Sequence, residues 1–173
     1  MAIDKIQSES INLADNFAFT GTVSGAGETN DCSWRVTMAS NQNIPNNTDT
    51  LVNYDTVVFD TDSGYNTTNK AYTVPSGKGG KYFIECRILH GPYGDNSGEF
   101  ADVYIQKNSS IFAAERHVVE GDMSRAGTLS CYTIQNLSAG DVIRVVMYFN
   151  QGDTRAINAS TNYTHFTGFR ISS

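Results

Sequence analysis

Basic residues are scarce in this sequence. Lysine and arginine total 12 against 18 aspartates and glutamates, which gives the chain of 173 residues a formal net charge of −6. Proteins that bind the phosphate backbone of DNA or RNA usually do so through clustered lysines and arginines. We therefore expect no nucleic-acid partner.

Cysteine is also rare, and its spacing matches neither a disulfide framework nor a zinc site. Cys32, Cys86 and Cys131 are odd in number, lie far apart and include no Cys-x-x-Cys pair. Free cysteines are among the residue types most often found inside proteins. We predict that all three are small buried apolar residues.

Long apolar runs and an N-terminal signal are both missing. No segment approaches the roughly 18 consecutive apolar residues of a membrane-spanning helix. Residues 1–10, MAIDKIQSES, lack the basic region followed by an apolar core that marks a signal peptide. We expect no membrane insertion and no export by a signal peptide.

Catalytic motifs are missing too. The sequence contains no Gly-x-Ser-x-Gly, no His-Glu-x-x-His and no phosphate-binding Gly-x-x-x-x-Gly-Lys-Ser/Thr motif. His90, His117 and His165 lie far apart in the sequence, with no metal-ligand or triad partner at a recognisable offset. We predict that the protein is not an enzyme.

What the sequence does contain is a series of β-strand patterns. In residues 54–88, three runs rich in β-branched and aromatic residues are separated by turn residues at 60–64 and at Pro75. Because tight hairpin turns require Gly, Asn and Pro at defined backbone angles, this punctuation favours antiparallel strands over βαβ units. Similar alternating runs occur at residues 32–38, 100–107, 110–117, 127–134, 142–149 and 163–171.

About eight to ten short strands, spaced roughly 8–12 residues apart, are typical of a sandwich or barrel. We therefore predict an all-β fold, a two-sheet antiparallel β-sandwich or jelly roll, with Trp34 covering its core. The polar segments at residues 39–50 and 150–161 are predicted to be loops without a regular ladder.

Several short motifs resemble the complement component 1q family, whose jelly-roll domain is related to tumour necrosis factor. The resemblance covers about residues 32–172, with Lys70 and Ser109 where the family usually has glycine and Asp60 where it usually has asparagine. It implies a jelly-roll domain over residues 29–173 and a compact homotrimer, packed about a threefold axis by aromatic and aliphatic residues of one sheet. The matching residues are Tyr54, Asp55, Val57, Tyr65, Asn66, Tyr72, Pro75, Gly80, Tyr82, Ile84, Asn108, Gly140, Asp141, Ile143, Phe166, Thr167, Gly168 and Phe169.

The segment from Asp60 to Gly64, DTDSG, begins like a calcium-binding loop. Alternate carboxylates followed by a glycine turn can gather the oxygen ligands that calcium prefers. However, Ala71 stands where such a loop needs a bidentate glutamate, and no helix is predicted on either side. We favour a tight Asp/Gly hairpin and no cofactor, and we keep Asp60 and Asp62 as candidate calcium ligands.

A turn-forming loop at residues 90–99, HGPYGDNSGE, contains the candidate ligand-binding residues. Loops on a rigid sandwich often carry recognition, and an amphipathic tyrosine beside small polar groups suits contacts with sugars. We therefore assign Tyr93, Asp95 and Asn96 as candidates for binding a glycan. The alternative is an ordinary hairpin connection.

Residues 1–28 carry large apolar side chains and end in a glycine-rich stretch. Such a segment has no core of its own, so we expect it to dock on another subunit, and the alternative is a partly ordered tail. Its stretch NLADNFAFTGTVSG resembles N-terminal stretches of structural proteins of marine tailed phages. The apolar residues of this attachment segment are Ile3, Ile6, Ile11, Leu13, Phe17 and Phe19.

Together these features predict a virion structural protein of a tailed phage, a trimeric fibre, head-decoration or tail-appendage subunit assembled in the host cytoplasm. Residues 1–28 would bind other virion proteins, and the jelly roll would project outward to bind a host-surface glycan or protein. The alternative is a cellular lectin-like binding module with the same head. A hydrolase of surface polysaccharide is disfavoured because no carboxylate pair is evident.

Overall fold

The computed structural model describes residues 32–92, 98–118 and 126–172, and every helix or strand in these ranges is a β-strand. No helix in this part of the chain is long and apolar enough to cross a membrane. The attachment segment and its boundary with the head lie outside the described residues. The strands are β1 Ser33–Thr37, β2 Gln42–Ile44, β3 Thr50–Leu51, β4 Thr56–Asp60, β5 Tyr65–Asn66, β6 Ala71–Thr73, β7 Gly80–His90, β8 Phe100–Lys107, β9 Ser110–Val118, β10 Gly127–Leu137, β11 Val142–Asn150, β12 Arg155–Ile157 and β13 His165–Ser172.

The strands form two antiparallel sheets. In the first sheet the order is β10, β7, β13, β1, β4, and β12 pairs with the end of β7 and with β2. In the second sheet the order is β5, β6, β11, β8, β9, and β3 also pairs with β11. The predicted all-β, two-sheet antiparallel sandwich is confirmed.

Strand β7 shows how the sequence sets the two faces of a sheet. Tyr82, Ile84, Cys86 and Ile88 are fully buried, whereas the residues between them are only partly buried. Because successive side chains of a strand point to opposite sides, alternate residues of β7 line the core and the outer face. The largest aromatic side chains that are fully buried in the core are Trp34, Tyr54, Tyr72, Tyr82, Phe149 and Phe166.

The prediction of two irregular loops at residues 39–50 and 150–161 was wrong in part. The first contains β2 and the second contains β12, and these two strands pair with each other. Each strand carries one fully buried isoleucine, Ile44 or Ile157. Runs of three residues are too short to show a period, so tertiary pairing decides their conformation.

Trp34 joins the two sheets at the centre of the core. It lies on β1 of the first sheet and stacks on Tyr72, which lies on β6 of the second sheet, with ring centroids 3.7 Å apart and planes inclined by 11°. Phe166 packs edge-on against the same indole, 5.5 Å between centroids. The predicted position of Trp34 in the core is confirmed, since it has no exposed surface.

Gly168 provides the space that the indole occupies. This residue lies on β13, directly opposite Trp34 on β1. A Cβ atom placed at Gly168 would lie 2.3 Å from Cη2 and 2.5 Å from Cζ2 of Trp34. Any larger residue would therefore push the indole away from Tyr72.

We predict that Gly168→Ala lowers the free energy of unfolding by at least about 1–3 kcal/mol, the usual cost of overpacking a core. Chemical denaturation of the purified protein measures this change. Gly91→Ala is the matched control, because its Cβ would meet only the Ala156 carbonyl oxygen at 3.4 Å. Equal stability of the two variants would show that the indole is free to move.

Candidate functional site

The outer face of the first sheet carries exposed aromatic and aliphatic side chains. We call its central residues the apolar face: Phe59, Phe83, Tyr132, Ile134 and Phe169. Their exposed fractions reach 69% for Tyr132 and 61% for Ile134, and Phe59 and Phe169 are more than 40% exposed. Exposed apolar patches of this kind commonly mark interaction sites.

Strand register brings part of the apolar face together as one row. Ile134 on β10 lies opposite Phe83 on β7, and Phe83 lies opposite Phe169 on β13. The two phenylalanine rings are in contact, with centroids 5.4 Å apart. Three adjacent strands thus present a continuous apolar row to the exterior.

A second row runs parallel to the first and mixes apolar with charged residues. Tyr132 on β10 and Phe59 on β4 lie at its two ends. Glu85, Thr167 and Arg35 lie between them, each opposite its neighbour on the next strand. Polar and charged side chains therefore lie beside the apolar row. Such groups can fix the orientation of a partner that docks on this face.

Two further cationic or titratable side chains extend this polar side. His165 on β13 lies opposite Arg87 on β7. Burial lowers the pKa of His165, and the positive charge of Arg35 lowers it further. The Nε atom of Arg87 is shielded from solvent and has no acceptor among the described residues.

The outer face of the second sheet has a different character, because its polar groups satisfy one another. Arg116 on β9 donates two hydrogen bonds of 2.7 Å to Asp102 on β8, and Tyr104 donates a third, also of 2.7 Å. The guanidinium of Arg116 lies 4.0 Å from the ring centre of Phe100. The Asp102 carboxylate raises the pKa of Arg116. The centre of this face is thus held by polar contacts, and its exposed apolar residues, Ile111 and Val118, lie on the edge strand β9.

Of the two candidate calcium ligands, Asp60 is the last residue of β4 and Asp62 lies in the tight turn that follows. The Asp60 carboxylate accepts the backbone N–H groups of Gly64 at 3.2 Å and Tyr65 at 2.8 Å. Asp62 accepts the Tyr72 hydroxyl at 2.9 Å and also contacts the Cys32 thiol. These bonds are those of a hydrogen-bonded Asp/Gly turn, the alternative favoured from the sequence.

The surroundings of this turn offer few further ligands. Burial raises the pKa of Asp60, which disfavours its charged form. Among the described residues, no group of three or more His, Cys, Asp or Glu could hold a metal ion. A surface pocket of about 370 Å³ beside the turn is lined by Asp62, Ser63, Gly64, Tyr65, Asn66, Thr73 and Pro75.

The other sequence candidates lie outside the described residues. Tyr93, Asp95 and Asn96 fall in the gap at residues 93–97, and the six apolar residues of the attachment segment precede residue 32. Their assigned roles in glycan binding and in attachment stay predictions.

Two histidines that are distant in the sequence lie together in the fold. The rings of His90 and His117 are perpendicular, with centroids 6.4 Å apart. His90 is fully buried and its Nδ1 donates to the Gly91 carbonyl oxygen at 2.7 Å. Burial lowers the pKa of His90 to about 4, so this imidazole is neutral at pH 7. Its position fits that of a hydrogen-bonded core residue.

Sequence reasoning did not assign the residues of the apolar face. Tyr132 and Ile134 lie in a run that is apolar on both faces, since Leu129 and Cys131 point into the core. An ordinary half-exposed strand would alternate apolar with polar residues. The apolar residues on both faces of β10 were therefore the sequence feature that could have indicated an exposed apolar surface.

Comparisons with known proteins bear on the fold. No protein-family model and no curated protein matches this sequence. The globular domain of zebrafish complement 1qA is similar in structure, with a TM-score of 0.56 and 12% identity, covering 81% of this chain and 97% of that one. Eiger TNF from S. frugiperda has a TM-score of 0.54 and 12% identity, covering 82% of this chain and 92% of that one. At such identities the likeness shows the fold alone, and the predicted jelly roll is confirmed.

We predict that removing calcium leaves the melting temperature unchanged, because the carboxylates of Asp60 and Asp62 already accept hydrogen bonds. A ligand bound only by the folded state would stabilise it by mass action. Thermal unfolding with excess EGTA and with excess calcium measures the difference. A lower melting temperature in EGTA, restored by calcium and absent in Asp60→Asn, would contradict this prediction.

Proposed function

We propose that the protein is a homotrimeric jelly-roll head whose three chains pack together through the apolar face. The observation that carries this proposal is the exposure of Tyr132, Ile134 and Phe169 on β10 and β13, the two strands that flank β7 in the first sheet. A trimer is also what the resemblance to the complement 1q family implies.

The energetics favour covering this face. Each large apolar side chain that becomes fully buried contributes about 1.5–3 kcal/mol. Obligate interfaces between identical chains are more apolar than other protein surfaces, and aromatic residues are enriched in them. Tyr132 and Phe169 supply such aromatic area, and both lie on the outer side of the first sheet.

The position of Cys32, the first described residue, supports a role for residues 1–28 in attachment. Strands β1 and β13 are neighbours in the first sheet, and the N–H of Arg170 donates to the Cys32 carbonyl at 2.9 Å. Residue 32, where the described chain begins, therefore belongs to the sheet that carries the apolar face. In a trimer built on that face, three N-terminal segments would leave the head close to the interface and could dock as one unit.

We propose further that this head is a virion structural subunit of a tailed phage, such as a fibre, decoration or tail-appendage protein. Residues 1–28 would bind other virion proteins, and the second sheet with its neighbouring loops would face outward. This part of the proposal is supported by the apolar residues of the attachment segment and by its resemblance to phage proteins. A cellular lectin-like module would share the trimer but would not need residues 1–28 for particle assembly.

We predict that Ile134→Lys converts the trimer into monomers at micromolar concentration. Three lysine charges would be brought into an apolar contact, and each would lose hydration without a partner. Size-exclusion chromatography with light scattering measures the number of chains. Thr73→Lys is the matched control, because it places the same lysine at an exposed position on β6 of the second sheet. A monomeric wild-type protein, or equal assembly of both variants, would refute the proposed interface.

We predict that deleting residues 1–28 leaves a folded, trimeric head that no longer joins the virion. The physical reason is the loss of six large apolar side chains that would otherwise be buried against other virion proteins. The measurement is the copy number of the truncated protein in purified particles, with the full chain as control. Incorporation at the normal copy number would instead make the head itself the docking surface.

A further inference from the structure

Two of the three cysteines lie face to face across neighbouring strands. Cys86 on β7 and Cys131 on β10 are directly opposite partners in the antiparallel register. Both thiols are free, and the side chain of Cys86 is close enough to that of Cys131 to lower its pKa. Cys32 lies elsewhere, with its sulfur 2.9 Å from the Tyr72 hydroxyl. The predicted burial of all three cysteines is confirmed.

The register satisfies the main geometric requirement for a disulfide. Directly opposite residues of an antiparallel pair have Cα atoms about 4.5–5.5 Å apart. Disulfide-bonded cysteines have Cα atoms about 4.4–6.8 Å apart. We propose that Cys86 and Cys131 form a reversible cross-strand disulfide under peroxide, so that oxidation ties the edge strand β10 to β7.

The reaction balances with hydrogen peroxide as the oxidant. The Cys131 thiolate attacks one peroxide oxygen, the O–O bond breaks, and a sulfenic acid and water result after proton transfer. The Cys86 sulfur then attacks the Cys131 sulfur, the S–O bond breaks, and a second water leaves with the Cys86 proton. Overall, two thiols lose two electrons to one peroxide and give one disulfide and two waters.

The surroundings favour Cys131 as the first sulfur to react. The hydrogen bond from the Cys86 thiol lowers the pKa of Cys131, whereas burial raises the pKa of Cys86. Thiolates, and not thiols, are the nucleophiles in this chemistry. Among the described strands, β10 has a ladder with β7 only, so local opening of this edge can admit a small oxidant.

The bond would act on the sheet that carries the apolar face. Residue Tyr132 follows Cys131 directly, and its cross-strand partner Glu85 precedes Cys86. The closed loop would also include β8 and β9, so it would restrict the unfolded chain over a long stretch. This inference depends on the thiol pair alone and not on the proposed trimer. It can be tested equally in the Ile134→Lys variant.

The experiment treats the reduced full chain with hydrogen peroxide, alkylates it in denaturant and maps the peptides by mass spectrometry. The expected product is one intrachain Cys86–Cys131 peptide, with Cys32 still alkylated. The melting temperature should rise by about 5–15 °C and return on reduction with dithiothreitol. Cys32→Ala should behave like the wild type, and Cys131→Ala should lose the shift.

Two results would overturn the proposal. One is alkylation of both Cys86 and Cys131 after peroxide treatment of the native protein. The other is oxidation of Cys131 to a sulfinic or sulfonic acid, or bonding through Cys32, without the Cys86–Cys131 peptide. Peptide mapping of the wild type decides between these results even if a cysteine variant fails to fold. Failure of this test would leave the oligomeric state measured for Ile134→Lys unaffected.

Discussion

The contact between the Trp34 indole and the Tyr72 ring is the interaction on which the sandwich depends. Trp34 belongs to the first sheet and Tyr72 to the second, so their stacking at 3.7 Å fixes how the two sheets meet. The indole reaches that position only because Gly168, on the neighbouring strand, has no side chain. The packing of the core therefore requires glycine at position 168 of β13, opposite Trp34. Phe166, two residues earlier, closes the same cluster from the side.

The outer faces of the two sheets differ: polar groups on the second sheet are hydrogen-bonded to one another, whereas apolar side chains on the first sheet are exposed to solvent. On the second sheet, the buried Asp102 carboxylate is paired with Arg116 and Tyr104, so its polar groups are already bonded. On the first sheet, Ile134 and Tyr132 are more than 60% exposed. Assembly through the first sheet would leave the second sheet outside.

Local patterns were enough to predict most strands and the sandwich, whereas contacts between distant segments were not predictable. Lys70 and Ser109 stand at positions where the sequence resemblance led us to expect glycine, and they adopt positive φ angles of 53° and 72°, which carry a steric cost for residues other than glycine. Cys86 and Cys131 lie opposite each other because of the register between β7 and β10. This register cannot be read from the spacing of the cysteines in the sequence. The sequence identifies residues 127–134 only as an alternating run and does not single out Ile134. Ile134 is exposed because it lies on the outer face of the first sheet.

The central claim, burial of the apolar face between identical chains, is tested most directly by hydroxyl-radical footprinting of side chains. The wild-type protein and the Ile134→Lys variant are labelled at the same micromolar concentration, with Tyr148 on the second sheet as the internal reference. Tyr132 and Phe169 should be modified several-fold more slowly in the wild type than in the variant, and Tyr148 should react equally in both. Equal modification of Tyr132 and Phe169 in the two proteins would contradict the account.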